Sequence, residues 1–121
     1  ILSAVHYLEQ MGERRGHIRI ALKDDDNVKI NFKIDKKLIK GIVKKISTVS
    51  LSFESNESDF LKTLKKKKII TNIELEIENE KLYTDALIVR NEEKIVLMFV
   101  NIEEDFLNKL CAFIFDYINK E

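Results

Sequence analysis

The sequence predicts a mostly-β domain, a small antiparallel barrel with a short helix before it and a longer helix after it. Three observations carry this. Apolar residues alternate with polar ones at Val28, Ile30, Phe32 and Ile34, and again at Ile73, Leu75 and Ile77, which is the period of a strand with one wet face. Five or six such short strands follow at regular spacing, and closing them into a barrel removes exposed edges. Residues 102–119 then switch to helical spacing.

Taken in order, Leu2, Val5 and Leu8 are spaced by three and Gly12 follows as a stop, so residues 1–12 read as a short N-terminal helix or linker. Residues 13–121 read as the barrel with its C-terminal helix. Asp24-Asp25-Asp26-Asn27 is a turn, and the alternating strand at Val28 to Ile34 follows it. Residues 38–53 form one long strand-like stretch in which Gly41 marks a bulge or bend. Residues 59–68 connect it to the strand at Ile73. Residues 82–89 and Ile95–Val100 make two more strands around the turn-like Asn91-Glu92-Glu93, and the near-continuous apolar run of the second predicts burial on both faces. In the last helix, Phe106, Leu107, Leu110, Ile114, Tyr117 and Ile118 share one side. Glu103, Glu104 and Asp105 occupy its first turn, where the helix dipole favours negative charge.

At 121 residues the chain is one domain. Its 45% hydrophobic residues suffice for a core and its 35% charged residues keep that core in water. Twenty-one basic residues balance 21 acidic ones, which argues against bulk nucleic-acid binding, where a strong basic excess is the rule. No apolar run approaches the roughly 20 residues of a membrane span, and residues 1–16 lack the charge order of a signal peptide. A single Cys111 excludes an internal disulfide and points to a reducing, cytoplasmic setting. With His6 and His17 it cannot complete a zinc site of the usual ligand count. The start at Ile1 reads as a chain that begins partway through a longer protein.

Nothing points to catalysis. Gly12, Gly16 and Gly41 do not form a phosphate loop or a dinucleotide fingerprint, and no nucleophile elbow is present. The expectation is a non-enzyme without cofactor or metal.

The arginines carry the positive signal. The chain has 17 Lys but only 4 Arg, and Arg14, Arg15 and Arg19 fall within six residues. In a chain that otherwise uses Lys, clustered Arg points to planar, bidentate pairing with phosphate or with the O6/N7 edge of guanine, and to stacking on a base. The plain alternative is a solvated loop ahead of the first strand.

Arg14-Arg15-Gly16-His17-Ile18-Arg19 resembles the Arg-x-x-x-Arg motif of the PilZ domain, a family of cyclic di-GMP receptors, with Arg15 and Arg19 as the motif pair and Arg14 as the added arginine. The resemblance implies that these residues wrap the ligand's phosphates and guanines. The family's second motif, Asp/Asn-x-Ser-x-x-Gly, has its counterpart in Lys45-Ile46-Ser47-Thr48-Val49-Ser50, where Ser47 is retained. Lys45 supplies donors where the family has an acceptor, and Ser50 adds a side chain where the family has glycine. The segment from Thr84 to Asp105, with its two strands, turn and acidic helix start, is similar to the closing strands and helix of a PilZ barrel. The resemblance therefore implies a six-stranded antiparallel barrel that binds cyclic di-GMP through Arg14, Arg15, Arg19 and Ser47, with His17, Lys45 and Ser50 as flanking contacts.

Two functions follow from it. In one, the Arg loop closes on cyclic di-GMP, with freedom from Gly12 and Gly16, and changes a surface read by a protein partner. In the other, a degenerate PilZ module binds no nucleotide and acts as a protein-interaction domain, with motility control in the family's range. The spacing of Phe113 and Phe115 puts them on different faces, which predicts that one is exposed at a homodimer or partner surface. Lys65 to Lys68 read as a solvated loop, and Cys111 as a small buried apolar residue.

Overall fold

The computed structural model describes residues 18–120. The expected N-terminal helix, together with Arg14, Arg15 and His17, lies outside the described residues.

The alternating segments become strands: β1 (Ile20–Ala21), β2 (Lys29–Ile34), β3 (Lys37–Ile46), β4 (Ser50–Ser55), β5 (Ile69–Ile77), β6 (Glu80–Asn91) and β7 (Ile95–Val100). Every pairing is antiparallel. β2 pairs with β3 and β5, β5 with β6, β6 with β7, β7 with β4, and β4 returns to β3. β2 to β7 thus close into a six-stranded barrel, with the two-residue β1 added at the end of β3. Ile30, Ile39, Ile46, Leu51, Ile73, Leu75, Ile88 and Leu97 fill the interior, and β-branched side chains suit that pleated, buried surface.

Two α-helices stand among the described residues. α1 (Ser58–Lys62) is a single short turn inside the segment expected to be a plain connection. Buried Asn91 holds its end, donating its amide hydrogens to the carbonyls of Leu61 (3.1 Å) and Leu64 (2.6 Å). α2 (Glu104–Asn119) buries Phe106, Leu110, Cys111 and Ile114 against the barrel, and the ring of Phe106 meets that of Phe99 edge-on at 5.3 Å. No helix among the described residues is long and apolar enough to cross a membrane.

Several expectations need correction. The stretch 38–53 is two strands, broken at Ser47, Thr48 and Val49. Gly41 is no bend: it lies in mid-strand, and a Cβ there would sit 2.5 Å from Phe53 Cδ2 and 2.8 Å from the Glu54 carbonyl oxygen. Its missing side chain permits close approach of β4. The bulge lies three residues on, where Val43 pairs with Phe53 but Lys45 pairs with Ser52, leaving Lys44 extra. β7 is buried on one face only, since Val96, Met98 and Val100 alternate outward. Asn91 belongs to β6 and leaves Glu92 to Lys94 as the turn. Phe113 and Phe115 are both half-buried; Phe113 packs against the core and its ring lies 6.0 Å from that of Tyr117.

Candidate ligand-binding site

β1 is short, but it fixes where the arginine segment ends. Ile20 pairs with Ile46 and Ala21 with Lys45, so the preceding Arg19 arrives at the level of Ser47. The strand break at Ser47 is what makes a groove here. Ser47 is fully buried, and its Oγ accepts hydrogen bonds from the backbone N–H groups of Val49 (3.2 Å) and Ser50 (3.1 Å). Its own N–H donates to the Ser50 carbonyl at 2.8 Å. A serine that ties its hydroxyl to nearby backbone offers the chain a turn in place of a ladder. The Val49 carbonyl then accepts from the Phe99 N–H at 2.8 Å, which pins the turn to β7.

The resulting groove, about 370 Å³, is lined by Arg19, Lys45, Ser47 and Ser50, and also by Ser52, Arg90, Lys94, Val96 and Met98. The structure thus brings together every sequence-selected residue it describes. The roles divide, however. Ser47 has both acceptor positions filled by backbone donors and shapes the turn, whereas Arg19 and Lys45 are exposed and free to meet a ligand.

The electrostatics of the groove are one-signed. Among the described residues, four cations line it and no carboxylate does. The neighbouring Lys44, by contrast, reaches Asp24 at 2.7 Å and Glu54 at 3.6 Å, and its hydrogen bond to Asp24 raises its pKa. Among the described residues, Arg19, Lys45, Arg90 and Lys94 have no carboxylate partner within 4.0 Å. In a chain with no net charge, such a patch attracts a small polyanion. The described residues hold no cluster of groups suited to a metal ion.

Sequence reasoning missed Arg90 and Lys94. A signal for Arg90 was present, since it is the fourth and last arginine of a lysine-rich chain. Only the barrel closure, which sets β6 and β7 beside β4, brings it to the groove.

The sequence matches the model of the TP_0454_C family, described as a C-terminal domain, over residues 30–113, more than half of the chain. Among solved structures it is similar to the PilZ domain with c-di-GMP of YcgR from Escherichia coli, at 16% identity over 88% of this chain and 93% of that one, TM-score 0.70. It is similar also to the K. pneumonia MrkH–c-di-GMP complex, at 15% identity over 85% of this chain and 52% of that one, TM-score 0.72. The Bacillus subtilis inhibitor of motility MotI/DgrA matches at 15% identity over 89% of this chain and 53% of that one, TM-score 0.67. The chain therefore spans about half the length of the latter two. No curated protein matches the sequence. At these identities the likeness is one of fold, and the closed six-stranded barrel with its C-terminal helix is the PilZ fold.

Proposed function

The chain belongs to the TP_0454_C C-terminal domain family, a PilZ-like family, and from that premise we propose that it is a cyclic di-GMP receptor rather than an enzyme. The observation that carries this reading is the groove in which Arg19, Lys45, Ser47 and Ser50 meet, lined among the described residues by four cations and no acid. The similar structures of YcgR and MrkH are described as c-di-GMP complexes, and a nucleotide with two phosphodiesters suits the charge of the groove. Arg15 and Arg14 precede Arg19 by four and five residues in the sequence, with His17 between them and Arg19, and in this reading they contribute to the same ligand.

In this reading the ligand draws the arginine segment onto the barrel. The segment then presents a changed surface to a protein partner or a second copy, in the cytoplasm. The coupling needs the ligand to bind the closed arrangement more tightly than the open one.

A second reading, a PilZ module that no longer binds nucleotide and serves as an interaction domain, is favoured by one observation. Lys45 and Ser50 stand at the groove where the family has an acceptor and a glycine. Calorimetric titration with cyclic di-GMP separates the two. The receptor reading expects saturable binding on the order of −8 kcal/mol or better, weakened at least about tenfold in an Arg15→Ala/Arg19→Ala double variant that melts at the same temperature. Absence of heat and of any melting shift at high ligand would favour the interaction module.

A further inference from the structure

Arg90 and Lys45 end one row of outward-facing residues that crosses four strands. Lys45 on β3 pairs with Ser52 on β4, Ser52 with Val96 on β7, and Val96 with Arg90 on β6. The row beneath it, Ile46, Leu51, Leu97 and Ile88, is buried. At roughly 4.8 Å per strand the two cationic ends stand about 14 Å apart along the sheet, with Ser52 and Val96 as the floor between them.

Each end follows a bulge. The register slips between Val43 and Lys45 on β3 and between Ile88 and Arg90 on β6, so Lys44 and Val89 are the extra residues. The inserted residue lets two neighbours face outward in succession, which restores the inward phase for Ile46 and Asn91 while turning Lys45 and Arg90 onto the groove. Bulges of this kind re-aim side chains at binding sites.

We propose that Arg90 is a guanine-reading residue of this groove, pairing through its guanidinium with the O6/N7 edge of one base while Lys94 and Lys45 meet phosphate. This rests on the receptor reading above and deepens it. Among the described residues the lining side chains offer cationic donors and no carboxylate, so the groove they form is matched to acceptor edges. Guanine presents two adjacent acceptors, O6 and N7, whereas adenine sets an N6 donor beside N7 and opposes a cation. Arginine supplies the two parallel donors that such an edge requires, and lysine, a point charge, does not. Arg90 is the only arginine outside the Arg14–Arg19 cluster. It is also exposed and without a carboxylate partner among the described residues, so its donors are available. Val96 and Met98 give the base an apolar surface to lie on.

The test is calorimetric titration of the unaltered chain, Arg90→Ala and Arg90→Lys with cyclic di-GMP and with cyclic di-AMP, each variant first checked by thermal melting. Arg90 is exposed on the outer face, and Arg90→Lys keeps the charge should Arg90→Ala fold poorly. The expected result is a preference of about tenfold or more for the guanine ligand in the unaltered chain. Both variants should lose most of that preference, with Arg90→Lys retaining more overall affinity than Arg90→Ala. An Arg90→Ala chain that binds cyclic di-GMP within twofold of the unaltered one would overturn the inference and leave the receptor reading standing. So would an equal loss for both ligands, since Arg90 would then act by charge alone. An unaltered chain that binds neither ligand would overturn both.

Discussion

Tyr117, near the end of α2, donates its hydroxyl to Asp26 Oδ2 at 2.8 Å, across 91 positions of sequence. The Ala21 carbonyl lies within 3.2 Å as an alternative acceptor, and the same Asp26 oxygen accepts the Lys23 backbone N–H at 2.7 Å. The C-terminal helix is thereby tied to the segment that begins two residues after Arg19. Tyr117→Phe keeps the ring and removes this tie. It should lower stability by roughly 1.5–3 kcal/mol, the usual loss for a hydrogen bond to a charged group, measured by urea unfolding; an unchanged midpoint would show the tie to be idle.

Gly41→Ala should be costly. The added methyl would meet not only the movable Phe53 ring but the Glu54 backbone carbonyl, at 2.8 Å, which cannot yield without shifting β4. A loss of about 1–3 kcal/mol is expected for such overpacking. Because the carbonyl contact remains, adding Phe53→Leu should restore only part of it; complete recovery in the double variant would place the whole clash at the ring.

Lys36→Gly should do the opposite. The β2–β3 hairpin turns through Asp35 (φ 51°) and Lys36 (φ 69°), a two-residue geometry that normally carries glycine at its second position. Relieving a non-glycine residue of left-handed backbone should raise stability by roughly 0.5–1 kcal/mol. A lower melting temperature would contradict this reading of the turn.

Acid should weaken the barrel through two carboxylates. Glu74 accepts from Asn31 Nδ2 and from the Tyr83 hydroxyl, each at 3.0 Å, and these bonds, Asn31 foremost, hold its pKa below the ordinary 4.5. Asp85 accepts the Asn72 backbone N–H at 2.9 Å and Asn101 Nδ2 at 3.1 Å, which lower it below 3.8. A lowered folded pKa contributes stability that is fully present above the unfolded value and lost as pH falls through the folded one. Glu74→Gln should therefore melt below the unaltered chain at pH 7, with the gap closing toward pH 3. A gap constant with pH would mean that the charge of Glu74 plays no part.

Much of this was legible in the sequence because local period and burial agree. Ile30 and Phe32 face inward as their alternation requires, and the helix face of Phe106, Leu110 and Ile114 is buried as its spacing requires. The errors share a physical cause. A turn held by one serine hydroxyl, as at Ser47, leaves no gap in an apolar pattern, so β3 and β4 read as one strand. Bulges at Lys44 and Val89 appear only as two outward residues in succession, and Gly41, the visible oddity, drew the bulge to itself. The groove was half visible: Arg19, Lys45, Ser47 and Ser50 lie near one another along the chain or through β1, whereas Arg90 and Lys94 reach it by closure of the barrel between strands distant in sequence.

The most direct test of the central claim is where cyclic di-GMP acts on the barrel, read by backbone-amide NMR shifts of the chain during titration. Shifts should concentrate at Arg19, at residues 45–52, at Arg90 and at residues 94–98, with the far face around Leu38 and Tyr83 unmoved. Shifts confined to that far face, or none at saturating ligand, would contradict it.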